Sequence, residues 1–374
     1  MIGKKDRSLL TKNKAFVVPN FDDEAEMLGW AGISFGEEET YKLGKSIKRL
    51  ATMSGADGVR FGGKIYGTKS DYWIAYGNLK ESEEKPDADC EARGEGVNML
   101  VFWVTDNLLN DWTQLPDCKP EHIEQARKIK HVFSGDLNGT VDSNPTFRGK
   151  ERHLLRATLA RIFSATAIVP KGLYEMAEEE EGKLPEMKFA EEAPPMGTEE
   201  LKSLEAWCNV YPIILKCGRT THLKPTGMDE EAAEARLAEL MEEDKTEERF
   251  RDINAHEKIP EMESAWVTKV TGDTQPYNKQ TGEGTQTYAV NVIKSLRWPG
   301  SITVAKSGKF CTVYVGWGLK KGDPSYQPIE PPEVQADPDD QAEMPEPNPL
   351  EAPVEPLEID TDADEKGSGD EDDE

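Results

Sequence analysis

The sequence Val59-Arg-Phe-Gly-Gly-Lys-Ile-Tyr66, then Gly67-Thr-Lys-Ser70, then Asp71-Tyr-Trp-Ile-Ala-Tyr76 predicts a β-hairpin. In the first run, the apolar side chains of Val59, Phe61 and Ile65 fit the alternating pattern of a strand. The four residues between the runs are Gly, Thr, Lys and Ser, which favour a turn. We therefore expect two paired strands here.

The glycines of this stretch also match the spacing of a phosphate-binding loop, from Gly58 through Gly63 and Lys64. In such loops the residue after the lysine is Ser or Thr, whose hydroxyl binds Mg²⁺, whereas Ile65 occupies that position here. The pattern favours a strand in which glycines allow close packing. A nucleotide-dependent regulatory enzyme that uses Gly58–Ile65 is the competing hypothesis.

Helices are predicted on both sides of the hairpin. Glu37–Ser54 has apolar residues at helical spacing, acidic residues in its first turn and a glycine directly after it, which is typical of a capped helix. Helical periodicity returns in Pro120–Phe133 and in Lys150–Phe163, and Asn98–Val104 is a candidate buried strand. A charged helix with a narrow apolar stripe is expected at 229–250.

The last part of the folded chain is rich in predicted strands. The four runs are Trp266–Val270, Tyr288–Ile293, Ile302–Ala305 and Phe310–Trp317, and a Trp298-Pro-Gly300 turn lies between the middle two. We therefore predict the α+β class: a mixed helical and antiparallel β body with a β-rich C-terminal part and a disordered acidic tail.

Shifts in composition divide the chain into six predicted segments. They are a short N-terminal arm (1–35), an α+β domain (36–175), an acidic insertion or loop (176–206), a linking segment with the charged helix (207–263), the β-rich C-terminal part (264–328) and the acidic tail (329–374).

Negative charge is concentrated at the C-terminal end. The chain of 374 residues has a net charge of −27, and 329–374 contains 19 acidic residues, one lysine and no aromatic residue. Such a segment cannot bury enough apolar surface to offset the entropy of ordering, so we expect it to be disordered. This segment acts either as a charged extension that keeps the protein in solution or as a contact for partners. Nucleic acid is not an expected partner, because phosphate binding needs a basic surface.

No motif predicts catalysis, a cofactor or a membrane span. The N-terminal residues lack the apolar stretch of a signal peptide, and the longest apolar run, Met99–Val104, is too short to cross a bilayer. Five scattered cysteines are typical of a reducing cytosolic compartment. Cys208, Cys217 and His222 are zinc-ligand types, but their spacing favours buried or incidental cysteines.

One region is basic within this acidic chain. Residues 119–171 contain ten Lys or Arg and five acidic residues. One reading is that these residues form the solvent-facing side of two amphipathic helices. The other is that they bind an acidic partner surface or the chain's own tail. The candidate partner-contact residues are Arg127, Lys128, Lys130, Arg152, Arg156 and Arg161, together with Trp298 and Trp317.

Several motifs follow one another in a distinctive order along the chain. They are Gly36-Glu-Glu-Glu-Thr-Tyr41, Arg60-Phe61 with Gly63-Lys64-Ile65, Trp112-x-x-Leu115-Pro116, Ala126-Arg127-Lys128-Ile129-Lys130, Leu155-Arg156-Ala157, Trp298-Pro-Gly300 and Tyr314-Val-Gly-Trp-Gly318. Together they resemble the radial spoke head protein 4/6 family of motile cilia and flagella, over roughly Gly36–Pro328. Gly62 departs from the family pattern, because it stands where an aromatic residue is expected.

The resemblance implies a structural scaffold subunit of the radial spoke head, located in the cytoskeleton of the cilium or flagellum, the axoneme. Such heads receive mechanical cues from central-pair projections, and the spoke passes them to the dynein arms that drive beating. The implied partners are a second copy or a 4/6 paralogue, radial spoke protein 9, and further head and stalk proteins, with transient contact to the central-pair projections. The alternative is an acidic chaperone-like binding protein that acts through its C-terminal tail.

Overall fold

The predicted hairpin lies in the middle of an eight-stranded sheet in the computed structural model. The structure describes residues 21–79, 90–176, 187–253, 264–275 and 287–322, apart from 192–193, 195, 226, 228, 247–248 and 307. The acidic tail predicted at 329–374 lies outside the described residues. The predicted α+β class is confirmed, because helices and one large sheet make up this part of the chain.

The described residues form five α-helices: α1 Phe21–Trp30, α2 Glu37–Ser54, α3 Pro120–Lys128, α4 Glu151–Thr166 and α5 Glu230–Glu243. Short 3₁₀ turns lie at Gly96–Asn98, Glu200–Lys202 and Leu204–Ala206. None of the described helices has the length and apolar character needed to cross a bilayer.

The strands in chain order are β1 Asp57–Ile65, β2 Tyr72–Asn78, β3 Val101–Thr105, β4 Thr113–Gln114, β5 Ile168–Pro170, β6 Tyr174–Met176, β7 Met187–Phe189, β8 Trp207–Asn209, β9 Trp266–Thr271, β10 Val290–Ser295, β11 Ser301–Lys306 and β12 Lys309–Gly316. The pairs β5–β8 and β6–β7 form two small separate sheets. The other eight strands form the large sheet.

The large sheet joins two antiparallel halves that are distant in sequence. Its order is β4-β3-β2-β1-β12-β11-β10-β9, and the contact between β1 and β12 is parallel, whereas its other neighbouring strands are antiparallel. The predicted segments 36–175 and 264–328 therefore contribute strands to one sheet. The parallel contact differs from the predicted antiparallel arrangement. It is possible because the chain leaves the large sheet after β4, returns to it at β9 and reaches β1 only with β12.

Gly63 makes the parallel contact possible. It pairs with Tyr314 and has φ +135°, a conformation that residues with a Cβ rarely adopt. A Cβ on Gly63 would lie 1.9 Å from the carbonyl oxygen of Tyr314. The two backbones can therefore approach each other at this point only because the side chain is absent.

A bulge in β1 moves its side chains from one face of the sheet to the other. The register with β2 shifts between Phe61 and Gly63, so Val59 and Phe61 face one core and Ile65 faces the other. The alternation of Val59, Phe61 and Ile65 predicts a single face, and the extra residue, Gly62, is the reason for the difference.

Each face of the sheet is covered by helices. On one face, α1 and α2 contribute Leu28, Leu43 and Ile47 to a core that includes Phe61 and Trp73. On the opposite face, the core combines residues of α3 and α4 with side chains from β2, β3 and β12, namely Ile123, Leu155, Leu159, Ile74, Phe102 and Tyr314. Successive residues of β2 thus point into different cores, as the pleat of a strand requires.

Three helices differ from their predicted bounds, and α2 does not. Helix α4, predicted at Lys150–Phe163, runs from Glu151 to Thr166. Helix α2 has the predicted limits, and Gly55 closes it in the left-handed conformation. Helix α3 ends at Lys128, because the carbonyl groups of Phe133 and Ser134 accept hydrogen bonds from Thr68 and Lys69 and hold the following segment extended. Helix α5 ends at Glu243, where the Asp244 carboxylate accepts a hydrogen bond of 2.6 Å from the Lys216 amide.

The predicted N-terminal arm contains a helix that packs on the sheet. Phe21, Met27 and Leu28 of α1 are buried, and the ring of Phe21 lies 5.3 Å from the ring of Phe61, centroid to centroid. Edge-to-face aromatic contacts of this kind add to the stabilisation that apolar burial gives. Residues 21–30 are thus part of the folded body.

Replacing Gly63 by alanine should lower the free energy of unfolding by about 3 kcal/mol or more, since it adds both a backbone clash and strain at positive φ. Gly58→Ala is the matched control, because Gly58 lies in the same strand at φ +63° with open space around its Cβ position. The control should cost about 1 kcal/mol. Urea unfolding measures both, and equal losses would contradict the close contact of β1 with β12.

Candidate interaction site

A cleft on the α3 and α4 side of the sheet is lined by three of the ten Lys and Arg residues of the predicted basic region. Its walls come from the end of α3 and the residues after it, from α4, and from the segment that follows β12. Its basic lining residues are Arg127, Lys130, His131, Arg161 and Lys320, and the lining has no Asp or Glu among the described residues. We call it the basic cleft.

The wall formed by 129–135 is held by a buried carboxylate at the start of α4. Glu151 is 1 % exposed, and its Oε1 accepts hydrogen bonds from the Tyr72 hydroxyl at 2.8 Å and from the Gly135 amide at 2.9 Å. Its Oε2 accepts one from the Ser134 amide at 2.9 Å. Burial, and secondarily the Glu151 carboxylate, raises the pKa of Tyr72, so the Tyr72 hydroxyl keeps its proton and remains a donor near neutral pH.

Two arginines of the cleft are held in place by carbonyl groups. The Arg127 guanidinium donates to the carbonyl oxygens of Ile214 at 2.7 Å and Leu215 at 2.8 Å. Arg161 donates to the carbonyl oxygen of Ala126 at 2.8 Å, and its guanidinium lies 5.3 Å from the ring centroid of Trp298. These contacts fix the positions of the two charged groups before any partner binds.

An aromatic pair, of which Trp317 is exposed and Tyr66 is half-buried, adjoins the cleft in sequence. Trp317 is 49 % exposed, and its ring centroid lies 5.3 Å from that of Tyr66 in the hairpin turn. The next residue, Gly318, lines the cleft, and its amide donates to the Tyr314 hydroxyl at 2.9 Å. A partly exposed tryptophan next to positive charge is typical of a protein interaction surface.

The other predicted contact residues lie elsewhere. Lys128 is exposed but outside the cleft lining, and Arg152 is half-buried and donates to the Asn138 side chain. Trp298 is only 1 % exposed and belongs to the core. His131 and Lys320 line the cleft but are not among the predicted contacts. The pair Lys320-Lys321 is visible in the sequence, but the fold is needed to place Lys320 beside α3.

The sequence matches a family model described as radial spokehead-like protein over residues 3–91 and 83–352. The chain belongs to the radial spokehead-like family. It is 29 % identical to flagellar radial spoke protein 4 of Chlamydomonas reinhardtii, covering 85 % of this chain and 70 % of that protein. It is 27 % identical to mouse radial spoke head protein 6 homolog A and to human radial spoke head protein 4 homolog A. Both alignments cover 85 % of this chain but about half of the relative, 52 % and 49 %.

The structure of this spokehead-like chain explains why glycine occupies two positions, Gly300 and Gly62. In the Trp298-Pro-Gly300 turn, a Cβ on Gly300 would lie 2.2 Å from the Val315 carbonyl oxygen, so the turn lies directly on β12. At Gly62, where the resemblance leads one to expect an aromatic residue, a Cβ would lie 3.1 Å from the rings of Phe163 and Tyr76. Neighbouring rings therefore fill the space that a larger residue would need.

The remaining chemical motifs adopt ordinary structural roles. Gly58–Ile65 lies in β1, which pairs with a strand on each side and leads into a turn, so it lacks the helix N-terminus that cradles a phosphate. The Cys208 thiol is buried, donates to the Val169 carbonyl oxygen and has its pKa raised to about 11 by burial. His222 contacts the carbonyl oxygen of Asp244 at 2.7 Å. Among the described residues, no cluster of three His, Cys, Asp or Glu side chains is placed to hold a metal.

Arg156 is a core residue of α4, although the sequence makes it a candidate partner contact. It is 2 % exposed, and its guanidinium donates to the carbonyl oxygens of Val97 at 3.0 Å and Leu100 at 3.2 Å and to Asn98 Oδ1 at 3.0 Å. It also lies 4.9 Å from the ring centroid of Phe102. The helix turns this side chain toward the 96–100 segment, which needs a donor for its carbonyl groups.

Arg156→Met should lower the free energy of unfolding by about 2–4 kcal/mol, because it leaves buried acceptors without their donor. Arg148→Met is the control, since the Arg148 side chain is 81 % exposed, and it should change stability by less than about 0.5 kcal/mol. Urea unfolding measures both variants. A loss from Arg156→Met as small as that of the control would show that Arg156 is not part of the core.

Two histidines not assigned a role from the sequence lie against each other. The rings of His122 and His153 are stacked with 4.9 Å between centroids, and His153 Nδ1 accepts a hydrogen bond of 3.0 Å from the Lys150 amide. Burial lowers the pKa of each ring, and for His153 the neighbours His122, Arg152, Lys119 and Lys150 lower it further. Among the neighbours of His122, Glu121 opposes this shift and Lys119 adds to it.

The histidine pair predicts a loss of stability in mild acid. Because both pKa values are lowered by folding, the unfolded chain takes up protons first, and stability falls as the pH drops below the ordinary value of 6.5. His153→Gln keeps an acceptor for Lys150 and should lose less stability than the wild type between about pH 7.5 and about pH 5.5. Thermal unfolding at both pH values tests this, and an equal loss in both proteins would contradict it.

Proposed function

We propose that this protein is a structural scaffold subunit of the radial spoke head in motile cilia and flagella, and that it works without catalysis. In this role it helps to pass mechanical signals from the central pair to the dynein arms and so regulates beating. The single observation that carries the proposal is the family match, which extends over residues 3–352 and includes both halves of the large sheet.

The fold supports a mechanical role. An eight-stranded sheet covered on both faces by helices is close-packed, so a load applied at one side is passed on with little deformation. The parallel contact of β1 with β12 joins the two halves, so they move as one unit. The proposed location is the axoneme. The proposed partners are a second copy or a 4/6 paralogue, radial spoke protein 9, other head and stalk proteins, and transiently the central-pair projections.

The acidic chaperone-like binding protein is the second candidate function. It rests on the composition of 329–374, where 19 acidic residues stand against one lysine. The two functions differ in what the tail must do. A chaperone-like protein needs the tail to bind basic clients, whereas a scaffold assembles through its folded body.

A tagged full-length chain should enter the axoneme of motile cilia and co-purify with other spoke-head subunits after salt extraction. Deletion of Ile329–Glu374 should leave this assembly intact, because the folded body is unchanged. Quantitative mass spectrometry of axonemal and axoneme-free fractions measures both. Recovery of the tagged chain only outside axonemes would contradict the scaffold function, and loss of all partners upon tail deletion would favour the chaperone-like one.

A further inference from the structure

We propose that the exposed side of α2 is a self-association surface, on which α2 of a second copy of this chain packs in the antiparallel direction. The role of such a pair in a spoke head rests on the proposed function. The surface itself does not, because it follows from the exposure and charge of the α2 side chains.

The three most exposed large apolar side chains in the described part of the chain lie on this surface. Tyr41 is 65 % exposed and Met53 is 69 % exposed, and both point away from the core that α2 covers. Leu109 is 65 % exposed and adjoins the same part of the helix, because its carbonyl oxygen accepts a hydrogen bond of 3.2 Å from the Arg49 guanidinium. Single apolar residues on a surface are ordinary, whereas a group of them marks contact with another protein.

The exposed side chains form a ridge that suits packing against another helix. Tyr41, Lys45, Arg49 and Met53 follow one another at intervals of four residues, so they form one row along α2. The Lys45 ammonium group lies 5.4 Å from the ring centroid of Tyr41, so its stem follows the row. Rows of this spacing fit the grooves between the side chains of a neighbouring helix, and this one is about 18 Å long.

The charges of α2 identify the neighbouring helix. The helix begins with Glu37–Glu39 and carries Lys45 and Lys48 in its second half. Within the part of the chain that the structure describes, Glu38 pairs with Lys42, whereas Lys45 and Lys48 are exposed and have no ion pair. An antiparallel copy of α2 places its acidic end against these lysines and its lysines against the acidic end. A helix that is acidic throughout would be repelled by the first turn.

One alignment satisfies the charges and the ridge together. If the two-fold axis passes beside residue 43, Glu38 of each copy faces Lys48 of the other. Tyr41 then faces Lys45 of the other copy, whose ammonium group is attracted to the face of the ring. Both contacts occur twice in the pair, because the axis repeats them.

The expected pair is reversible. Two helical segments of this length bury less than the roughly 1,200–2,000 Å² of a stable interface, so association is expected at micromolar concentrations. Met53 extends past the first turn of the other copy's α2, toward the half-buried Ile33 and Phe35 that precede it. This apolar contact adds to the charge contacts at each end.

Sedimentation equilibrium of the full chain measures the association at about 150 mM salt, where the repulsion between two chains of net charge −27 is screened. The chain should pass from monomer to dimer between about 1 and about 100 µM. Lys48→Glu should weaken the dimer by about tenfold, because two pairs of like charges then face each other. Lys128→Glu, the matched control at the exposed end of α3, should change the dissociation constant by less than about twofold. Tyr41→Ala, without charge change, should weaken the dimer by about fivefold.

A mixture of two variants separates pairing from any effect on folding. Glu38→Lys alone should weaken the dimer as Lys48→Glu does. Mixed in equal amounts, the two variants should associate within about threefold of the wild type, because opposite charges then meet at both ends of the pair. Two chains that had merely lost stability would not restore each other.

Several results would overturn the proposal. They are a chain that stays monomeric at about 100 µM, equal weakening by Lys48→Glu and Lys128→Glu, a mixture that does not associate, and loss of the dimer upon deletion of Ile329–Glu374, which would assign the contact to the tail. If the chain is monomeric but enters axonemes, the α2 proposal fails and the scaffold function stands. If the chain pairs through α2 but stays outside axonemes, the reverse holds.

Discussion

The close parallel contact of β1 with β12 is the constraint on which the rest of this structure depends. Gly63 and Tyr314 approach so closely that a single added Cβ would lie 1.9 Å from a carbonyl oxygen. The contact joins an N-terminal meander, β1 to β4, to a C-terminal meander, β9 to β12, and so creates one sheet with two covered faces. Pairing residues this far apart in sequence carries a large entropic cost of loop closure, which the burial of two cores must offset.

The same contact also brings together the walls of the basic cleft. The walls of the basic cleft come from α3, α4 and the residues after β12. The cleft therefore forms only when β12 is paired with β1. The Trp298-Pro-Gly300 turn lies on β12, and Tyr314 provides the hydroxyl that accepts the Gly318 amide. The basic cleft and the stability of the body therefore depend on one set of backbone contacts.

The sequence predicts local structure well here and long-range arrangement less well. Glu37–Ser54 combines periodicity, charge at its ends and a closing glycine, and the helix has those bounds. The bulge at Gly62 could not be predicted, because one extra residue reverses the face of Ile65 without any change in the apolar pattern. The parallel contact also could not be predicted, because the apolar pattern of a strand does not show which other strand it pairs with.

The site shows the same division. The sequence shows the positive charge of 119–171, but it does not show which of these residues line the cleft. Arg156 is buried in the core, whereas Lys320, which is distant in sequence, lines the cleft. Native-state hydrogen exchange of the intact chain measures the free energy of opening at each amide, and so shows whether β1 and β12 open together. Lys64 in β1 and Val315 in β12 should exchange with the same opening free energy, close to that of global unfolding. Clearly earlier opening of β12 than of β1 would show that the two halves of the sheet are separate folding units.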